Sequence, residues 1–171
     1  MSVHKRMVVD VQAVLSSSAH PFARASRDHR TLFLSFVLHC ADLSTPLLPP
    51  ELSRRVAENL SLEFSGQADM ERAMGLPVSV VAAASPEAKA AQEISFVRFV
   101  VAPLFLTLTA VVPRLGHLLS LLDANLCSWE RVAGVAVGDT SLGPADEWRR
   151  KFRRGSDATE VNSKHTDPHI V

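Results

Sequence analysis

The segment from Ile94 to Val112 is apolar around nearly its whole circumference, and this limits what the chain can become. A helix with no polar face must lie inside a protein core or inside a bilayer. The stretch has about the length that spans a membrane. Arg98 sits within it, Pro103 interrupts it, and no charged flanks mark its ends. A charge at membrane depth is costly. The segment is therefore predicted to be the central helix of a water-soluble fold.

Other apolar positions repeat at helical spacing around this core. Leu32, Phe33, Phe36, Val37, Cys40 and Leu43 predict a helix from Arg30 to Leu43. Thr45, Pro46, Pro49 and Pro50 end it, since proline has no N–H to donate and its ring clashes with the preceding turn. A second helix is predicted from Pro50 to Met74, with Leu52, Val56, Leu60 and Phe64 on one face and Gly75 as its stop. Residues 76–86 read as a loop. Ser85 is the expected cap of the central helix. After Pro113 a further helix, Arg114 to about Ala133, carries Leu115, Leu118, Leu119, Leu122, Leu126 and Trp129. No convincing strand alternation occurs, so the fold class is all-α. Residues 1–28 read as weakly structured, 29–133 as the helical region, and 134–171 as a polar, mostly disordered tail.

Composition narrows the function. Lys+Arg and Asp+Glu are 18 each, so bulk charge predicts no nucleic-acid partner and argues against a membrane surface. The basic run Arg149 to Arg154 is short, follows Asp146 and Glu147, and reads as a solvated tail. Cys40 and Cys127 lie far apart and read as reduced. Asp10 and Gln12 interrupt the weakly apolar N-terminus, which argues against a secretory signal and makes the cytoplasm the expected location.

Four blocks carry a family signature. LHCADLSTP, Leu38 to Pro46, is followed by a helix ending in Phe64, Gln67, Asp69, Glu71, Gly75, Leu76, Pro77 and Ser79. Phe96, Val100, Pro103, Leu104 and Phe105 come next, then NLCSWERV from Asn125 to Val132. In their order, and for the first three in their spacing, these resemble the C-terminal half of the catalytic domain of class I cyclic-nucleotide phosphodiesterases. The resemblance implies a helical bundle and hydrolysis of cyclic AMP or cyclic GMP to the 5′-monophosphate. It also implies two divalent metals, zinc and magnesium, that activate a water for in-line attack.

Carried over by resemblance, Asp42 corresponds to the family's last carboxylate ligand. Taken alone it reads as a helix-terminal aspartate making a local turn hydrogen bond. Phe96 corresponds to the phenylalanine that stacks on the purine, and its plainer role is core packing. Glu93 stands where the family has a glutamine that reads the purine edge, with Gln92 one residue earlier and turned about 100° away. Thr45 replaces an asparagine, Ala57 and Val56 replace larger or polar pocket residues, and Leu60 and Val81 are expected to line an apolar slot.

No His-Asp or His-Asn dipeptide occurs, although the family draws its remaining ligands and its acid from such pairs. His39 reads as a packed histidine, His20 as a loop residue, and His165 and His169 as part of a solvated tail. One carboxylate does not make a two-metal site. The chain is expected to begin downstream of the catalytic front half and to lack hydrolytic activity by itself. Three functions remain open at this stage. They are an incomplete phosphodiesterase, a non-catalytic binding or regulatory module that associates through an exposed apolar face, and a partial or degenerate copy.

Overall fold

The computed structural model describes residues 3–17, 26–80, 83–136 and 147–149. The chain divides into two units, Met1–Val137 and Gly138–Val171. In the first unit the described residues form helices α1 (Val3–Ser17), α2 (Arg27–Asp42), α3 (Pro50–Ala73), α4 (Pro86–Phe96), α5 (Ala102–Val111) and α6 (His117–Val132). No strand occurs among the described residues.

The central helix is buried as expected. Ala90, Ile94, Val97, Val101, Ala102, Leu104, Phe105 and Leu108 form the middle of the core, against Leu119, Leu122, Leu126 and Trp129 of α6. Ser85 caps it by accepting from the Ala88 N–H at 3.2 Å. Between α4 and α5 the helix widens into one π turn, Val97–Val101, where the Ala102 N–H reaches the Val97 carbonyl. Pro103 follows in the first turn of α5. Its ring would press on the carbonyl four residues back, and the wider turn opens that space. By length and apolarity the stretch Pro86–Val111 would pass as a membrane span. Arg98, the one charge in its apolar part Ile94–Val111, instead donates to the Glu130 carboxylate of α6 at 3.1 Å, and both side chains are largely or fully buried. That ion pair belongs to a protein interior.

Two sequence readings change. Residues 3–17 are helical rather than weakly structured, and α1 packs on α2 and α5. Val8 and Val11 are buried, with Met7, Val14 and Leu15 half-buried beside them. Gln12 donates to the Thr107 hydroxyl of α5 at 3.1 Å. Valine is a poor helix former, so the local pattern is weak and burial against α5 decides the outcome. On α3 the predicted stripe is rotated. Ser53, Ala57 and Ala68 are buried, whereas Leu52 and Leu60 remain exposed. Small side chains let α3 approach α6 and the turn after α2, and the larger residues flank that contact.

The helix ends follow the local chemistry. Gly75 has φ +68°, a left-handed conformation that suits glycine, and the Leu76 N–H returns to the Glu71 carbonyl at 2.9 Å. Most of the expected tail lies outside the described residues. At 147–149 it is helical, with Trp148 and Arg149 buried, so Arg149 is not solvated. A buried guanidinium needs partners, and Arg149 has them. The remainder of the basic run, His20, His165 and His169 also fall outside the described residues.

Candidate functional site

Asp42 is the last residue of α2. The turn beyond it is closed by backbone bonds, Leu43 N–H to His39 and Ser44 N–H to Ala41, each 3.2 Å. A short 3₁₀ turn, Thr45–Leu47, then leads to α3. Asn125 of α6 holds this turn from below. Its amide donates to the Pro46 carbonyl at 2.7 Å and to the Leu48 carbonyl at 2.8 Å, in a buried setting. The fourth signature block thus has a physical task, which is to fix where α2 ends.

The opposite rim is held by Glu71. It accepts from the Gln67 amide at 2.9 Å, the Ser79 N–H at 2.7 Å and the Ser79 hydroxyl at 2.6 Å. These bonds, led by Gln67, hold the Glu71 carboxyl below its ordinary pKa. The conspicuous Gln67, Glu71 and Ser79 of the second block are therefore a brace for residues 75–79.

Between these braces lies a cavity of about 620 Å³. Asp42, Thr45 and Pro46 form one side, and Ser53, Ala57, Leu60, Ser61 and Phe64 of α3 form the floor. Ser79, Val80 and Ala83 close the loop side, while Lys89, Gln92, Glu93 and Phe96 of α4 form the facing wall. Asp42, Thr45, Leu60, Glu93 and Phe96 thus come from three helices and the 3₁₀ turn to a single opening. Val81 lies outside the described residues, and Val80 borders the slot where it was expected. Val56 is not part of the lining.

Three lining features escape the sequence reading. Gln92 borders the cavity although helical geometry turns it from Glu93. Lys89 borders it too, one turn before Glu93, and the spacing Lys89, Glu93, Phe96 (i, i+4, i+7) was the available signal. Ser53 and Ser61 add hydroxyls to an otherwise apolar floor. Burial raises the Glu93 carboxyl above its ordinary pKa, and the Lys89 ammonium partly offsets this. Cys40, just behind Asp42 in the core, has its thiol pushed up by burial to about 12 and is unreactive.

A model of the 3′5′-cyclic nucleotide phosphodiesterase family matches residues 1–122. The chain belongs to this family. The match takes in α1, so the family region begins earlier than residue 29 and includes the first helix. Human high affinity cGMP-specific 3′,5′-cyclic phosphodiesterase 9A is 30% identical over 98 residues, which are 57% of this chain and 16% of that protein. The 3′,5′-cyclic-AMP phosphodiesterase 4C of Rattus norvegicus is 26% identical over 174 residues, 99% of this chain and 32% of that protein. The crystal structure of the phosphodiesterase domain of the RhoPDE fusion protein from the choanoflagellate Salpingoeca rosetta superposes with a TM-score of 0.71 at 33% identity. That match covers 78% of this chain and 43% of that domain. The chain therefore spans less than half of the relatives it matches.

The phosphodiesterase family depends on metals, so the donor set around Asp42 is the test of fit. Among the described residues no group of three or more His, Cys, Asp or Glu side chains converges to hold a metal ion. His39 is on α2 but does not line the cavity. A lone carboxylate does not satisfy a zinc or magnesium ion, which needs several further ligands. The described residues do not fit a metal centre, and no chemical step is assigned to one.

Proposed function

We propose that this chain is the nucleotide-holding portion of a cyclic-nucleotide phosphodiesterase catalytic domain. In this reading cyclic AMP or cyclic GMP enters the cavity between α2, α3 and α4. Phe96 stacks on the purine, Glu93 meets its edge, and Leu60 and Val80 close on its faces, with Val81 as the further proposed wall residue. Thr45 and Asp42 lie toward the phosphate end. Asp42 would contribute one ligand to a zinc and magnesium pair completed by groups that this portion does not bring together. A soluble protein of the cytoplasm suits the reading. The observation that carries it is the convergence of Asp42, Thr45, Leu60, Glu93 and Phe96 on one cavity in a chain of this family.

A second reading, a non-catalytic module, draws on the outer face of α2. Leu34 and Leu38 are 67% and 73% exposed, and with Asp42 they fall four residues apart along one line of the helix. An associating chain seated on that stripe would lie beside Asp42.

The test combines binding and turnover. Purified chain is titrated with cyclic AMP and cyclic GMP by calorimetry, then assayed for 5′-monophosphate release with zinc, magnesium or manganese. Binding without turnover is expected, and the binding should be lost when Ala57→Trp fills the floor. Metal-dependent turnover by the chain alone, abolished by Asp42→Ala, would overturn the assignment as a portion lacking the metal centre. Failure of both nucleotides to bind would overturn the nucleotide-holding role.

A further inference from the structure

Resting on the nucleotide-holding reading, we infer that Lys89 and Glu93 select guanine over adenine in this cavity. The argument starts from which groups each residue offers. A glutamine amide presents one acceptor and one donor, so by rotating it serves either purine. An ionised carboxylate only accepts, and an ammonium only donates. Lys89 and Glu93 stand one helical turn apart on α4, and both line the cavity. Phe96 continues the same face three residues on and lines it as well. A base stacked on Phe96 would therefore turn its edge toward a donor followed by acceptors.

Guanine offers the complement. Its O6 accepts, and its N1–H and N2 amino group donate side by side, a pattern that suits the two oxygens of one carboxylate. Adenine presents the N6 amino group as donor and N1 as acceptor. Adenine offers only one donor on that edge, so beside an ionised Glu93 its N6 amino group pairs with one oxygen while N1 sets another acceptor against the second. A site whose polar groups are left unpaired by the wrong ligand discriminates strongly.

Among the described residues, the charged groups that border the cavity besides Glu93 are Lys89 on the same helix and Asp42 at the end of α2. No residue of α6, the helix packed on the far side of α4, is part of the lining. Burial acts on the Glu93 carboxyl from the protein side, and Lys89 supplies the opposing positive charge. Gln92, on the same wall, carries an amide that both donates and accepts, but it is turned about 100° from Glu93 and has an interaction of its own.

The test uses the full 171-residue chain with 3′,5′-cyclic GMP and 3′,5′-cyclic AMP, titrated by calorimetry at pH 8 with chelator present. Cyclic GMP is expected to bind about ten-fold or more tightly than cyclic AMP, the usual size of one mismatched bidentate contact. Glu93→Gln, nearly identical in shape, should bring the two affinities close to parity, and Lys89→Met should lessen the preference without reversing it. If Glu93→Gln leaves the ratio unchanged, or the parent chain favours cyclic AMP, the selectivity is overturned while the nucleotide-holding reading stands. If neither nucleotide binds the parent chain or Glu93→Gln, both readings fall together.

Discussion

The two sides of the long central helix treat charge in opposite ways. Toward α6, Glu130 is fully buried and held by Arg98 at 3.1 Å, and Asn125 spends its amide on two backbone carbonyls. Toward the cavity, Glu93 is half-buried and feels desolvation and the Lys89 charge. Polar groups on the inner side complete the fold. Those on the outer side are arranged around space that a ligand can fill. The contrast separates residues that hold the scaffold from residues that meet a ligand, and substitutions on each side should report differently.

The largest effect is expected at the inner pair. Glu130→Ala leaves a nearly buried guanidinium without its carboxylate and should cost about 3 kcal/mol of unfolding free energy. Chemical denaturation followed by circular dichroism measures it, and a change below the error of the method would break the contrast. Asn125→Ala removes one buried and one partly buried hydrogen bond and should cost about 2 kcal/mol. It should also weaken nucleotide binding, because the Thr45–Leu47 turn loses its anchor. Phe96→Ala should act mainly on the ligand, lowering affinity by about 1–3 kcal/mol, the usual value of one stacked base. A stability loss with unchanged binding would move Phe96 to the inner side.

Smaller effects come from pH. The folded pKa of Glu93 is raised, so its share of stability is present below the unfolded carboxyl value and is lost as pH rises through the folded one. Glu93→Gln should therefore raise the denaturation midpoint modestly at pH 7 and leave it unchanged near pH 4. The sign is opposite at Glu71, whose folded pKa is lowered by Gln67 and Ser79. Its contribution holds above the unfolded value and fades as pH falls through the folded one. Ser79→Ala should show the smallest loss, present at all pH above the ordinary carboxyl range and fading below it, with proteolysis of residues 75–80 as the local probe.

The features legible in the sequence were those with a local cause. Pro46, Gly75, Ser85 and Pro113 act on their own turn, so helix ends lie within a few residues of their predicted places. Burial of the central helix followed from its having no polar face. Asp42, Thr45, Leu60, Glu93 and Phe96 were legible through family resemblance, and the cavity brings them together. What stayed hidden depended on distant partners. α1 owes its form to α2 and α5, and Leu52 and Leu60 outweigh Ser53 and Ala57 in any apolar count although the small residues make the contact. Lys89 and Gln92 look like ordinary surface residues until α3 and the loop stand opposite them.

The π turn at Val97–Val101 sets the angular phase between the two halves of this helix. Deleting one residue there would restore ordinary α winding and swing everything upstream by about 100° relative to everything downstream. Glu93 and Phe96 would then sweep off the opening while Leu104 and Leu108 kept their seats. A single extra residue thus locks two registers together: Ala90 and Ile94 would leave their seats against α6 in the same movement, so the wall of the cavity cannot turn without unseating the core.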